Sequence, residues 1–259
     1  MLYRSCVYPY VFETPPPENT EKLPSYFSVP HPFVLSVPWD GKSEDGDHNL
    51  ELTLIGRGNQ CAAYVILALK IAAEEGVNPL GPLTLAGVQQ ESAAGSGTWT
   101  EIFADGAQLN ALAPAAVVAP PAPALIRIHL ESPLRLRHEN SYVSAERFEF
   151  ADLFRNILRR VSFLTYFHTE RPLETDFAGL VHRSREVGIG NTVLRWRDWT
   201  RYSTRQQEKL QMGGLVGGFS VRLGGIEDLW PYLWLGQWVH AGKGATMGLG
   251  RYRITELET

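Results

Sequence analysis

Four glycines in nine residues, Gly242, Gly244, Gly248 and Gly250, punctuate the run from His240 to Tyr252. Glycine tolerates the positive φ that lets successive backbone N–H groups turn inward on an anion. Lys243 and Arg251 bracket the loop with positive charge, and Thr246 adds a hydroxyl. That is the chemistry of a phosphate cradle. It is not a nucleotide P-loop, which needs G-x-x-x-x-G-K and then Ser or Thr, between a strand and a helix. Here Gly236 stands six residues before Gly242, one too many, and Gly244 follows the lysine. The flanks are also reversed, with a helix-like run at 226–239 before the loop and a strand-like run at 249–255 after it.

A second stretch, 194–206, interleaves Arg195, Arg197, Arg201 and Arg205 with Trp196, Trp199 and Tyr202. In a strand, Arg195, Arg197 and Trp199 share one face and Trp196 and Asp198 the other. Arg201, Arg205 and Lys209 follow at four-residue spacing, which is one face if that segment turns helical. Guanidinium groups hold phosphates while aromatic rings stack bases, the usual way single-stranded RNA is gripped. The plainer alternative is a strand whose tryptophans are core and whose arginines are merely solvated. A glycine loop in the same half of the chain favours RNA.

These residues need a scaffold, and 259 residues can bury one large core or two smaller ones. Apolar residues at 44% and charged residues at 20% exclude a disordered chain. Two cysteines, Cys6 and Cys61, give neither a disulfide framework nor a metal quartet, which suits the cytoplasm. No apolar run is long enough to predict a membrane span. The net charge of −4 hides an asymmetry. Residues 1–120 hold 5 basic against 13 acidic residues, and 121–259 hold 19 against 15, with 17 arginines to 2 lysines. An arginine-rich half beside an acidic one points to a face for an anionic polymer.

Periodicity divides the chain at an uncharged Ala/Pro-rich stretch, 108–123, which reads as a semi-rigid linker. Before it, in 1–107, the order is at most a short strand at 8–12, strands at 32–39 and 49–55 forming a hairpin, a helix at 59–75, and strands at 80–88 and 98–103. That is half of a ferredoxin-like domain, short of its first strand and helix. After it, in 124–259, a strand at 124–136 leads to an amphipathic helix at 146–168. Strands at 191–199 and 214–223, the 226–239 helix, the glycine loop and a closing strand follow. The order βαββαβ predicts a ferredoxin-like domain, and the fold class is α+β.

The segment Trp238–Tyr252, with its helix, glycine loop and final strand, resembles the C-terminal motif of the RAMP superfamily. More narrowly, it is similar to the CRISPR-associated endoribonucleases that process precursor CRISPR RNA. Ser132-Pro133-Leu134-Arg135-Leu136-Arg137, the helix segment 158–168 and the segments 11–17 and 29–35 are similar as well. The resemblance implies tandem ferredoxin-like (RRM-like) domains. It implies CRISPR repeat RNA as partner, with other CRISPR effector subunits as further ones, and neither membrane nor small-molecule cofactor nor metal. Members of that family usually open with a strand and a Gly-rich helix, with the catalytic histidine on or after it. This chain begins past that point, so the N-terminal domain is expected to lack them.

The reaction so implied is metal-independent scission, with the 2′-hydroxyl attacking the adjacent phosphate to leave a 2′,3′-cyclic phosphate and a 5′-hydroxyl. Histidine suits the general base and acid, and arginine or lysine the phosphorane charge. His31 lies in a proline-flanked loop where a side chain can face a cleft. His168 ends a helix, where capping is the simpler role. Tyr202 is a further acid or hydrogen-bond donor, although stacking suits it better. His240 adjoins the loop, while His48, His129, His138 and His182 show no partner pattern. No His/Cys/Asp/Glu set has metal-ligand spacing. The RNA-binding set is Arg195, Arg197, Arg201, Arg205, Gly242, Lys243, Gly244, Thr246, Gly248, Gly250 and Arg251. Two alternatives stand beside the nuclease: a subunit that holds guide RNA without cutting it, and a ferredoxin-like enzyme acting on a small phosphorylated metabolite.

Overall fold

The computed structural model describes residues 6–15, 29–37, 47–77, 80–104, 107–138, 141–203 and 208–258, with backbone alone at 201–203 and 208–210. A helical turn, Pro9–Glu13, stands where a short strand is expected, because Pro9 fixes φ at the first helical position. β1 (Phe33–Ser36) and β2 (Glu51–Leu54) form the expected antiparallel pair, with Phe33 opposite Leu54. A 3-10 turn, Gly56–Cys61, feeds α1 (Ala62–Glu75), and β3 (Gly87–Glu91) pairs with β4 (Trp99–Ala104). β3 starts well after residue 80, where the sequence pattern places it. Among the described residues the two ladders are not hydrogen-bonded to each other.

The stretch 108–123 has no helix or strand, yet it is docked. Pro120 O accepts from Trp230 Nε1 at 2.7 Å, and the Gln90 side chain bonds both backbone groups of Leu112 at 3.0 and 3.2 Å.

The C-terminal half is built on β5 (Leu125–Leu134), the short pair β6 (Arg137–His138) and β7 (Ser141–Tyr142), α2 (Phe150–His168) and α3 (Phe177–Arg185). Then come β8 (Ile189–Arg197), β9 (Thr200–Ser203), β10 (Glu208–Gln211), β11 (Gly214–Arg222), α4 (Trp230–Val239) and β12 (Tyr252–Glu256). Its main sheet runs β12-β5-β11-β8, all antiparallel, which is the ferredoxin-like order. Ile126, Ile128 and Leu130 of β5 and Phe219 and Val221 of β11 face α2. That helix returns Phe150, Leu153, Phe154, Ile157, Leu158, Val161 and Leu164, one stripe at helical spacing. Burying seven such side chains contributes on the order of 10 kcal/mol, before the entropy of ordering them.

α2 begins at Phe150 and not at 146, because Glu149 and Asp152 close a reciprocal capping box there. α3 is unforeseen; its Asp176 caps Gly179 N at 2.9 Å. The segment after residue 199 is a hairpin, not a helix, with Leu210 opposite Arg201. Spacing by four therefore carries no meaning there. In α4, Gly236 is obligatory: a Cβ would meet Tyr252 Oη, which donates to Leu233 O, at 2.0 Å.

Candidate functional site

The glycine loop folds back against β5 and α2. Gly242, Gly244, Gly248 and Gly250 all have positive φ, between 67° and 85°. A Cβ at Gly250 would stand 1.7 Å from Ala241 O, so glycine is compelled there. Much of the loop's backbone is committed to the fold. Gly242 N donates to Asn156 Oδ1 (2.7 Å), Lys243 N to Arg135 O (3.0 Å) and Gly250 N to Pro133 O (3.0 Å). Gly248 N donates to Ala245 O, closing a 3-10 turn, Ala245–Met247. Gly244, Ala245 and Thr246 are different. Their amides have no acceptor among the described residues, and all three residues line a cleft of about 420 Å³.

One wall of that cleft is α2. Asn156, Arg159, Arg160 and Phe163 fall at i, i+3, i+4 and i+7, a single face beside the apolar stripe. The strand end supplies Arg135 and Arg137, the loop supplies Lys243 and Thr246, and the N-terminal half supplies Val29, Pro30 and His31. Among the described residues the lining thus carries five cations and no carboxylate. Two guanidinium nitrogens, Arg160 Nη2 and Arg135 Nε, are buried with no hydrogen-bond partner among the described residues. Arg160 Nε donates to Val239 O, and burial lowers its pKa to about 10. Arg135 Nη2 donates to Tyr142 Oη at 2.8 Å, and both Arg135 and Arg137 sit over the Tyr142 ring.

His31 is half-buried, with its ring stacked on Phe33 at 5.6 Å and its Nδ1 2.9 Å from Thr14 Oγ1. Burial lowers its pKa, a hydrogen bond to the Val11 backbone opposes this, and Arg160 adds to the lowering. His168 does not line the cleft. It is buried behind it: Nε2 donates to Pro30 O at 2.6 Å, and Nδ1 faces Tyr10 Oη at 3.2 Å. Burial lowers its pKa too, so it is a neutral clamp on the segment that carries His31. It is not the plain helix cap that its position favours.

Other sequence-predicted residues lie elsewhere. Arg251 is ion-paired to Glu51 at 2.6 Å and to Glu131 at 2.8 Å, so it ties the halves together. Its charge is already answered. Arg195 and Arg197 are exposed on β8, the sheet edge. Leu194 packs into the core and the Trp196 ring meets Tyr142 at 6.1 Å, so strand alternation turns Arg195 and Arg197 to the opposite face. The side chains of Arg201 and Tyr202, and all of Arg205, lie outside the described residues. His240 is buried, at φ 58°, with its pKa pushed to about 3 by burial, then by Arg251 and Arg160.

The sequence reading missed Asn156, Arg159 and Arg160 as cleft residues. Their signal was present: an i, i+3, i+4 polar set flanking an apolar stripe, on a helix followed by the loop.

Residues 128–252 match the family model described as CRISPR-associated endoribonuclease Cas6, and residues 1–116 match one described as an N-terminal domain. The fold is similar to that of a Cas6 product complex, with TM-score 0.51 and 19% identity over 87% of this chain and 83% of that one. A second Cas6 product complex gives 0.51 and 19%, over 87% and 82% of the two chains. Thermus thermophilus Cas6 gives 0.50 and 15%, over 86% and 79%. No curated protein sequence matches. The architecture is α+β, of the tandem ferredoxin-like kind.

Proposed function

With residues 128–252 belonging to the CRISPR-associated endoribonuclease Cas6 family, we propose that this chain binds CRISPR repeat RNA and cuts it to give guide RNAs. We place the reaction in the cleft between the glycine loop, α2 and His31. The observation that carries this reading is one histidine set among five cations, with no carboxylate among the described lining residues. Such a lining repels cations and attracts a ligand that supplies its missing counter-charge, and a ribose-phosphate backbone does so.

The mechanism follows from the groups present. In the tautomer with Nδ1 protonated, His31 Nδ1–H donates to Thr14 Oγ1, which itself donates to Val29 O, and Nε2 is the nitrogen assigned as base. Nε2 takes the 2′-hydroxyl proton, the O2′–P bond forms, and the P–O5′ bond breaks with its electron pair on O5′. Lys243, the exposed ammonium at the rim, is assigned to protonate that oxygen. The amides of Gly244 to Thr246 and the guanidinium groups hold the charge of the phosphorane. None of these steps draws on a metal. His168 and Tyr10 act through Pro30 to hold His31 in place. In this reading residues 1–107 and 124–259 are two domains joined by 108–123, and the cleft lies where they meet.

The test is the purified chain with a CRISPR repeat RNA in EDTA. Cleavage should give products ending in a 2′,3′-cyclic phosphate; intact RNA together with no binding would overturn the proposal. A second reading, a subunit that holds guide RNA without cutting, is favoured by the single histidine in the cleft where scission uses two proton-transfer groups. Tight, salt-sensitive binding with intact RNA selects it.

A further inference from the structure

The cleft's five cations are not equivalent. Arg137, Arg159 and Lys243 are exposed, where each charge is solvated and costs the fold little. Arg135 is 8% exposed and Arg160 is half-buried, each with a guanidinium nitrogen that is out of reach of solvent and has no hydrogen-bond partner among the described residues. A buried donor left unpaired is costly, and a buried charge more so. Asp152, the carboxylate on the same helix, is taken by Arg155 at 2.8 Å. Neither guanidinium is idle: Arg160 is pinned through Nε to the end of α4, and Arg135 through Nη2 to Tyr142. The pinning fixes the direction of both guanidinium groups. Both residues belong to the cleft, as do Gly244, Ala245 and Thr246, whose amides are likewise unclaimed.

From this arrangement we infer that Arg160 and Arg135 form a built-in receptor for one phosphate, the reacting one, while the exposed Arg137 and Arg159 hold its neighbours along the RNA. This rests on the reading of the cleft as an RNA-cutting site and divides its cations into two kinds. The inner pair meets the phosphate whose P–O5′ bond breaks, where guanidinium forks match two equatorial oxygens and gain strength as charge accumulates in the phosphorane. The outer cations meet phosphates whose charge does not change, so they add affinity alone. The buried pair also makes the empty protein less stable than it is with an anion bound.

Two measurements on the full chain test this. In single-turnover cleavage at saturating RNA, Arg160→Gln should lose about 10²–10³-fold in rate, with affinity for a 2′-deoxy substrate falling far less. Arg159→Gln should do the reverse. In thermal unfolding without RNA, inorganic phosphate should raise the wild-type Tm and leave Arg160→Gln unmoved. Arg160→Lys, which keeps the charge but loses the fork, should retain part of the phosphate response and little of the rate, and it serves if the glutamine variant unfolds. An equal phosphate response in wild type and both variants, or an unchanged saturating rate, overturns the assignment. If the wild type responds to phosphate through Arg160 yet leaves RNA intact, the receptor stands and the cutting reading fails.

Discussion

Both faces of the C-terminal sheet carry arginine, on opposite terms. On the open face, Arg195 and Arg197 are solvent-exposed and Arg253 pairs with Glu131 at 2.7 Å. On the helical face, Arg135 is buried and Arg160 half-buried, each pinned by one nitrogen and with another unpartnered among the described residues. The difference separates a solvated surface from a site. Arginines of the first kind can be gained or lost at little cost, whereas those of the second burden the fold unless a ligand supplies their counter-charge.

If the helical face is the working one, its histidine should dominate. His31→Ala is expected to cut the saturating cleavage rate by about 10²–10⁴-fold, the range of a lost general base, while binding persists. A base must be deprotonated to work, so activity should fall as pH drops through the pKa of His31. Burial places that fall on the acid side of the ordinary histidine range. A pH–rate profile with its acid limb above that range, or a His31→Ala enzyme of wild-type rate, breaks the comparison at its strongest point.

The loop that walls the cleft should be nearly as sensitive. Gly250→Ala keeps a small side chain but places it at φ 67° and 1.7 Å from Ala241 O. It should cost at least about 2 kcal/mol of stability and weaken RNA binding with it. Gly81→Ala, also at positive φ (80°) but with no atom near its Cβ, isolates the strain from the clash. Equal losses in the two variants would deny the loop its special packing.

How much of this was legible beforehand divides the same way. The glycine loop could be read because positive φ leaves glycine as the default choice, and His31 because prolines keep its segment out of regular structure. The C-terminal fold could be read because its strand and helix periods are clean. Arg160 could not. An arginine doublet beside an apolar stripe reads as a solvated face, and only contacts with Val239, 79 residues on, show that the face is roofed over. Arg251 misled for the converse reason: its partner Glu51 lies 200 residues away, so its charge seemed free. The tract after residue 199 offered spacing by four to a segment whose tertiary setting makes it a hairpin.

His240 extends the comparison to stability. It is buried between cations on the helical face, with its pKa near 3 against about 6.5 when unfolded. A lowered pKa means that the unfolded chain takes up a proton the folded one refuses. Stability is then unaffected above about pH 6.5 and falls as the pH drops from there towards 3, by up to about 1.4 kcal/mol per unit. Replacing His240 with Gln should flatten that acid slope in denaturant titrations. A slope unchanged by the substitution would locate the acid sensitivity elsewhere.

The smallest effect is the most discriminating. Arg195→Gln with Arg197→Gln removes two charges from the open face, and each phosphate contact on single-stranded RNA contributes about 0.7 to the salt dependence of binding. If that face merely tracks a flanking strand, the double variant should reduce the salt slope by no more than about 1.4 and leave the saturating rate within about twofold. If the slope does not move, the open face touches no phosphate and the interleaved arginine and tryptophan pattern is structural. A saturating rate that collapses as far as in His31→Ala would carry the chemistry to the other side of the sheet. The unpartnered nitrogens of Arg135 and Arg160 would then be a cost to the fold with no ligand to offset it.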